Sequence, residues 1–174
     1  MITFYDDQMT FDANSSTSVT VTFDPFTPTD VPISIPPESP ITLGGITFTP
    51  VDSLPAEPNL FVAIPGGLAA GFFAVPLASN VLTASGNENI DITFSTGPTA
   101  VGFDTYTNKF DPPVVSVYDT VGKLRAQYVL IQAPESLSFL GIVSNVPIGK
   151  VNWLATEGGI QDTGIANVRV GDAK

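Results

Sequence analysis

An all-β sandwich is the fold this sequence predicts, and three observations predict it. Apolar residues recur at every second position in short runs, such as Val19-Thr20-Val21-Thr22-Phe23 and Ile90-Asp91-Ile92-Thr93-Phe94, which is the period of a half-buried strand. The chain carries 16 Pro and 15 Gly in 174 residues, and they fall between those runs as breakers. The runs follow one another at intervals of roughly 8–12 residues, the spacing of strands in two face-packed sheets. The expected architecture is a two-sheet antiparallel jelly roll of about ten strands with little helix. It forms one domain spanning 1–174, since the chain offers no linker long enough to divide it.

The elements follow in order. Met1 to Asn14 mixes Phe4, Met9 and Phe11 with acids and reads as a short helix or an edge strand. Ser15 to Thr17 reads as a polar hinge. Ser18 to Asp24 is a strand with Val19, Val21 and Phe23 facing inward. Asp30 to Pro40 is too rich in Pro for a central strand, because each Pro lacks a ladder donor; the alternation of Val31, Ile33 and Ile35 suits an edge. Ile41 to Thr49 reads as one strand bent at Gly44-Gly45. Leu60 to Ile64 and Ala70 to Val75 read as short buried strands around Pro65-Gly66-Gly67.

Ser85-Gly86-Asn87-Glu88-Asn89 is a turn that feeds a strand over Ile90 to Ser95. Thr99 to Asp104 follows Gly97-Pro98. Val114 to Asp119 and Leu124 to Ile131 read as a hairpin in which Gly122 supplies a positive φ. Ser138 to Val143, Lys150 to Ala155 and Ile165 to Val170 complete the set. No internal repeat appears, which argues against a propeller or solenoid.

Composition excludes several chemistries. The chain has no His and no Cys, so it lacks the usual proton shuttle, the usual zinc ligands and any disulfide. The net charge of −11 repels phosphate backbones and anionic lipid surfaces. Leu60 to Leu82 is the most apolar stretch, yet Pro65, Gly66, Gly67, Gly71 and Pro76 interrupt it, so membrane insertion is not expected. Met1 to Asp7 shows neither the basic nor the apolar region of a secretion signal.

A set of short motifs runs through most of the chain: Phe4-Tyr5-Asp6-Asp7, Val21-Thr22-Phe23-Asp24, Leu43-Gly44-Gly45-Ile46-Thr47-Phe48, Thr99-Ala100-Val101-Gly102-Phe103-Asp104 and Val117-Tyr118-Asp119. Near the C-terminus come Phe139-Leu140-Gly141-Ile142-Val143-Ser144 and Thr163-Gly164-Ile165-Ala166-Asn167-Val168-Arg169-Val170-Gly171. In this order they resemble secreted bacterial jelly-roll proteins of the PEP-CTERM-associated type, which are similar to carbohydrate-binding β-sandwiches. The resemblance implies an extracellular or cell-surface location and a binding or matrix role. Two features depart from it. The sorting signal and anchor helix are missing, and Ala166 stands where the pattern carries an Asp that would complete a Ca²⁺ site with the acid at Asp24.

Four kinds of site follow from the residues. For Ca²⁺, Asp24, Asp104 and Asp162 are candidate oxygen donors, although no loop has the spacing of a calcium-binding hand. For sugar, Tyr106 is the candidate stacking platform, with Asp104 and Asn108 beside it to bond hydroxyls. Trp153 alternates in phase with Val151 and Ala155 and reads as core. For acid–base catalysis, the carboxylate pairs Glu88/Asp91 and Glu157/Asp162 lie close in sequence, but nothing around them sets one carboxyl apart from the other. A Ser paired with Lys123 or Lys150 has no supporting context. For self-association, an unblocked strand edge could add to another copy, and Met1 to Asn14 is one segment that could cross over. The expectation is a non-enzymatic extracellular sandwich, without cofactor unless Ca²⁺ binds, that holds glycan or surface polymer in loops at one end. The alternative is a structural protein that assembles into homo-oligomers or fibres through strand edges.

Overall fold

The computed structural model describes residues 1–24, 33–35, 40–51, 60–73, 75–84, 88–107, 112–130, 137–155 and 162–174. Fourteen strands and one α-helix form in these segments: β1 (Ile2–Tyr5), α1 (Gln8–Asn14), β2 (Ser15–Val21), β3 (Ile33–Ile35), β4 (Ile41–Leu43), β5 (Ile46–Pro50), β6 (Leu60–Ala63), β7 (Val81–Ala84), β8 (Ile90–Phe94), β9 (Ala100–Tyr106), β10 (Val114–Asp119), β11 (Leu124–Val129), β12 (Leu137–Ser144), β13 (Ile148–Leu154) and β14 (Gly164–Ala173). The strands make two antiparallel sheets. One has the order β1-β12-β9-β14-β7-β6-β3, with β2 lying along the upper part of β14; the other has the order β11-β10-β13-β8-β5-β4. The all-β sandwich expected from the sequence is therefore the fold.

The core lies between the sheets and follows the alternation. Ile90, Ile92 and Phe94 of β8 point into it, as do Val101 and Phe103 of β9 and Val115 and Val117 of β10. Aromatic rings meet edge to face at its centre: Phe23 with Phe48 at 5.3 Å and Phe103 with Trp153 at 6.1 Å. Each such side chain contributes about 1.5–3 kcal/mol by leaving water. Trp153 is fully buried, in keeping with its phase.

The outer faces of the two sheets differ. On the eight-stranded sheet, α1 lays Phe11 over Ala100 and Phe139. Farther along, a 3-10 segment at Leu68–Phe72 helps cover Tyr106 and Ala166. On the six-stranded sheet, Thr42, Thr93 and Gln127 are exposed, and among the described residues no helix packs against that face.

The two poles differ as well. Tyr106 pairs with both Leu137 and Gly164, Val114 with both Val129 and Leu154, and Pro50 with Ile90. These registers bring the strand ends at Pro50, Tyr106, Val114, Val129, Leu137, Leu154 and Gly164 to one pole. The opposite pole holds tight turns such as Gly44-Gly45, where both residues have positive φ, the geometry a two-residue hairpin favours.

Several expectations needed correction. Ile41 to Thr49 is a hairpin, β4 and β5, because Gly44 and Gly45 reverse the chain rather than bend it. Within the expected strand Ala70 to Val75, Ala70 to Phe72 belong instead to the 3-10 segment. Val81–Ala84, which lacks alternation, is a strand buried at all four positions. Ser15 to Thr17 belongs to β2 rather than to a hinge. The row Val19–Val21–Phe23 is only partly interior. Val21 and Phe23 are buried, but Val19 is 36% exposed, because β2 is a border strand whose register shifts between Val170 and Gly171 of β14. The first segment forms both an edge strand and a helix, and it folds onto its own sandwich: β1 pairs with β12.

Candidate functional site

The strongest candidate is the open face of the six-stranded sheet. Register alone brings its outward side chains into two rows. Thr42, Thr47, Thr93, Lys150 and Tyr118 oppose one another in turn across β4, β5, β8, β13 and β10. Thr49, Asp91, Asn152, Ser116 and Gln127 form the second row across β5, β8, β13, β10 and β11. Strands lie about 4.8 Å apart, so each row spans about 19 Å.

Hydrogen bonds lock the middle of this face. Lys150 Nζ donates to Asp91 Oδ2 at 2.9 Å, and Asn152 Nδ2 donates to Asp91 Oδ1 at 2.9 Å and to Asn89 Oδ1 at 2.7 Å. The Lys150 ammonium also sits 4.5 Å from the centre of the Tyr118 ring, a cation–π contact. Gln127 Nε2 donates to Ser116 Oγ at 3.0 Å, and the hydroxyls of Thr42 and Thr47 lie 3.0 Å apart. The Lys150–Asp91 pair is part-exposed, so its worth to stability is about 0–1 kcal/mol. Its larger effect is positional. A carboxylate, an amide and an ammonium are held together on one face of the sheet with acceptor and donor capacity left over.

The residues singled out from sequence are placed as follows. Tyr106 is 1% exposed, its ring edge to face with Phe73 at 6.0 Å, and its hydroxyl accepts from the Ala78 amide at 3.1 Å. The ring is thus enclosed on the covered face of the larger sheet and has no surface free for stacking a sugar. Asp104 lies on that same outer face but answers to other partners. Asn167 Nδ2 donates to its Oδ2 at 2.6 Å and Arg169 Nη1 to its Oδ1 at 2.9 Å. Asn108 lies outside the described residues, as does Glu157.

Asp24 stands exposed just beyond β2 and accepts from the Thr22 hydroxyl at 2.7 Å. Asp162 precedes β14, its amide donating to the Phe72 carbonyl at 2.9 Å. Ala166 is fully buried in the apolar cluster around Tyr106, so that position offers no oxygen. Among the described residues no three Asp or Glu side chains gather as a metal site. Glu88 and Asp91 do not share a cleft. Glu88 is buried, taking a long hydrogen bond of 3.5 Å from Thr163 Oγ1 on the Trp153 side, whereas Asp91 lies on the outer face.

The Asp104 cluster shows why that acid is held. β14 carries a bulge between Ala166 and Arg169, where two residues oppose one on β9. Asn167 adopts φ 47° there, a left-handed conformation that Asn tolerates better than most residues. The bulge turns Asn167 and Arg169 together onto Asp104. The Arg169 guanidinium also lies 5.4 Å from the Phe139 ring centre. Both charged side chains are mostly buried.

Sequence reasoning missed the Asp91–Asn152–Lys150 cluster as a unit. Alternation marks each residue as outward facing, but only strand order brings β8 beside β13. In comparison with known proteins, no family model and no curated protein matches the chain. Among solved structures, the enzymatically active domain of tailspike protein 4 from bacteriophage CBA120 is similar over 74% of this chain, at 15% identity and a TM-score of 0.42. The matched region spans 19% of that protein's length.

Proposed function

We propose that this protein is a non-enzymatic, extracellular glycan- or surface-polymer-binding sandwich, and that it binds through the open face of the six-stranded sheet. The observation that carries the reading is the fixed trio of Asp91, Asn152 and Lys150 at the centre of a flat polar face. Sugar hydroxyls both donate and accept, and neighbouring hydroxyls need carboxylate, amide and ammonium groups set in fixed geometry. The flanking Thr rows extend that pattern along the face, and Tyr118 adds an aromatic ring at its border. The acidic chain, at net charge −11, favours neutral or amino sugars over polyanions. The resemblance to secreted jelly rolls supports the location. This reading moves binding from the loops of one pole to a sheet face.

Affinity electrophoresis through gels containing neutral, amino-sugar and acidic polysaccharides tests it. Retardation by a neutral or amino-sugar polymer is expected, and Asp91→Ala and Asn152→Ala should each abolish it while Val121→Ser leaves it intact. Migration unaffected by every polymer, or retardation that survives both substitutions, overturns the reading.

A further inference from the structure

We propose that β11 is the docking edge for a second copy of this chain, joined antiparallel about a two-fold axis at Gln127. The argument begins with hydrogen-bond parity. The Leu130 amide donates to the Pro113 carbonyl at 2.8 Å, and the register pairs Val115 with Tyr128 and Ser116 with Gln127. In an antiparallel ladder, residues alternate between pointing their backbone groups at the neighbour and away from it. Leu130, Tyr128 and Ala126 therefore face β10, and Gln127 and Val129 direct their N–H and C=O groups outward, where no described strand pairs with them; β1 of the other sheet packs beside β11 through the stacked rings of Phe4 and Tyr128.

Other edges of the sandwich are poorer templates. β3 and β4 have three residues each and β1 has four. β2 has seven but is interrupted by its register shift opposite Val170 and Gly171. β11 also has a bulge, between its pairs to Val117 and Tyr118, but it lies near the start and leaves Ala126 to Val129 regular. The bulge coincides with Arg125, whose guanidinium reaches toward Asp119 at 3.6 Å. The one charge on the strand is thus drawn toward its own hairpin, where it guards the edge less well. Leu124 and Val129 are each 45% exposed at the two ends of the strand.

The strand is complementary to its own copy. With Gln127 opposite Gln127, Arg125 faces Val129 and no like charges are opposed. The two Arg125 side chains stand about four residues apart along the strand, roughly 13 Å, which exceeds the screening length in physiological salt. A glutamine carries both a donor and an acceptor and can pair with itself. β11 contains no carboxylate, so the edge escapes the acidic self-repulsion of the chain at large. The axis stands perpendicular to the sheet, so both open faces would lie on the same side of the dimer. The inference does not depend on glycan binding, and its test uses no ligand.

Sedimentation equilibrium over a range of concentrations should show a monomer–dimer equilibrium, concentration dependent because an edge contact is small. Gln127→Pro removes an outward backbone donor and keeps every backbone bond to β10, losing only the side-chain bond to Ser116 Oγ, and should leave a monomer with an unchanged β-type dichroism spectrum. The chain has no native Cys, so single replacements report cleanly. Oxidised Gln127→Cys should yield a disulfide dimer, since residues opposed in such a pair have Cα atoms about 5.5 Å apart. Thr93→Cys, in the middle of the same face, should not. A wild-type monomer at every concentration, or equal cross-linking by Gln127→Cys and Thr93→Cys, overturns the proposal.

Discussion

Gly102 and Gly141 face each other across β9 and β12, and the ring of Phe11 occupies the space their side chains would take. A β-carbon on Gly141 would stand 2.4 Å from Phe11 Cδ2, and one on Gly102 would stand 3.0 Å from Phe11 Cε1. The paired glycines form the floor that lets a seven-residue helix anchor itself by one side chain. Gly141→Ala should therefore destabilise the protein by about 2 kcal/mol through overpacking. Phe11→Ala should cost about 3 kcal/mol through the lost ring. In the double variant the two losses should fall short of their sum, since the clash disappears with the ring. Urea unfolding of the four proteins measures this; additive losses would mean that Phe11 is not what the added methyl meets.

Asn167 gives a second prediction. Its φ of 47° and its bond to Asp104 act together. Asn167→Gly removes the bond but accepts the backbone, whereas Asn167→Ala loses the bond and keeps the strain. The alanine variant should be less stable than the glycine variant by about 1 kcal/mol. Asp104→Ala should cost more than either, about 3 kcal/mol, because it leaves Arg169 mostly buried with its carboxylate partner gone. Denaturant midpoints at unchanged slope give the order.

The fold is legible because inward residues mark themselves by phase: alternation points Ile90, Ile92 and Phe94 into the core, and they lie there. Val81–Ala84 escaped because it is buried on both sides, in part under the 3-10 segment, so it shows no alternation. Tyr106 reads as exposed in sequence for a related reason. Its neighbours in sequence are polar, but its ring meets Phe73 and its hydroxyl meets the Ala78 amide, both about thirty residues earlier. The outward trio Asp91, Asn152 and Lys150 depends on β8 and β13 being adjacent, a long-range pairing that no local pattern encodes. The bulge at Asn167 left one trace in the sequence, an Asn amid strand-forming residues.

Thr163 links two buried groups. Its hydroxyl accepts from Trp153 Nε1 at 3.3 Å and lies 3.5 Å from Glu88 Oε2. Thr163→Val should leave the indole N–H unpaired in the interior and cost about 2 kcal/mol. Adding Trp153→Phe removes that orphaned donor, so the double variant should lose less than the two single losses combined. Indole N–H exchange followed by NMR gives a separate readout. It should quicken in Thr163→Val, and an unchanged rate would show that the bond carries no protection.

The start of α1 yields a prediction in pH. Asp7 caps the helix, its carboxylate accepting from the Thr10 amide at 2.9 Å. Hydrogen bonding to the Thr10 side chain and then to its amide holds the Asp7 carboxyl below the ordinary value of 3.8. A carboxyl whose folded pKa is depressed stabilises the fold above its unfolded pKa, and that stability is lost as pH falls through the folded value. The helix should therefore keep its cap at neutral pH and through mild acid, and lose it only below pH 3.8. An NMR titration following the Thr10 amide should place the Asp7 midpoint below 3.8. Asp7→Ala should remove the transition at Thr10 and loosen α1 relative to wild type wherever the Asp7 carboxyl would be charged, with the difference vanishing below its folded midpoint. A midpoint at or above the ordinary value would show that the cap does not form in solution.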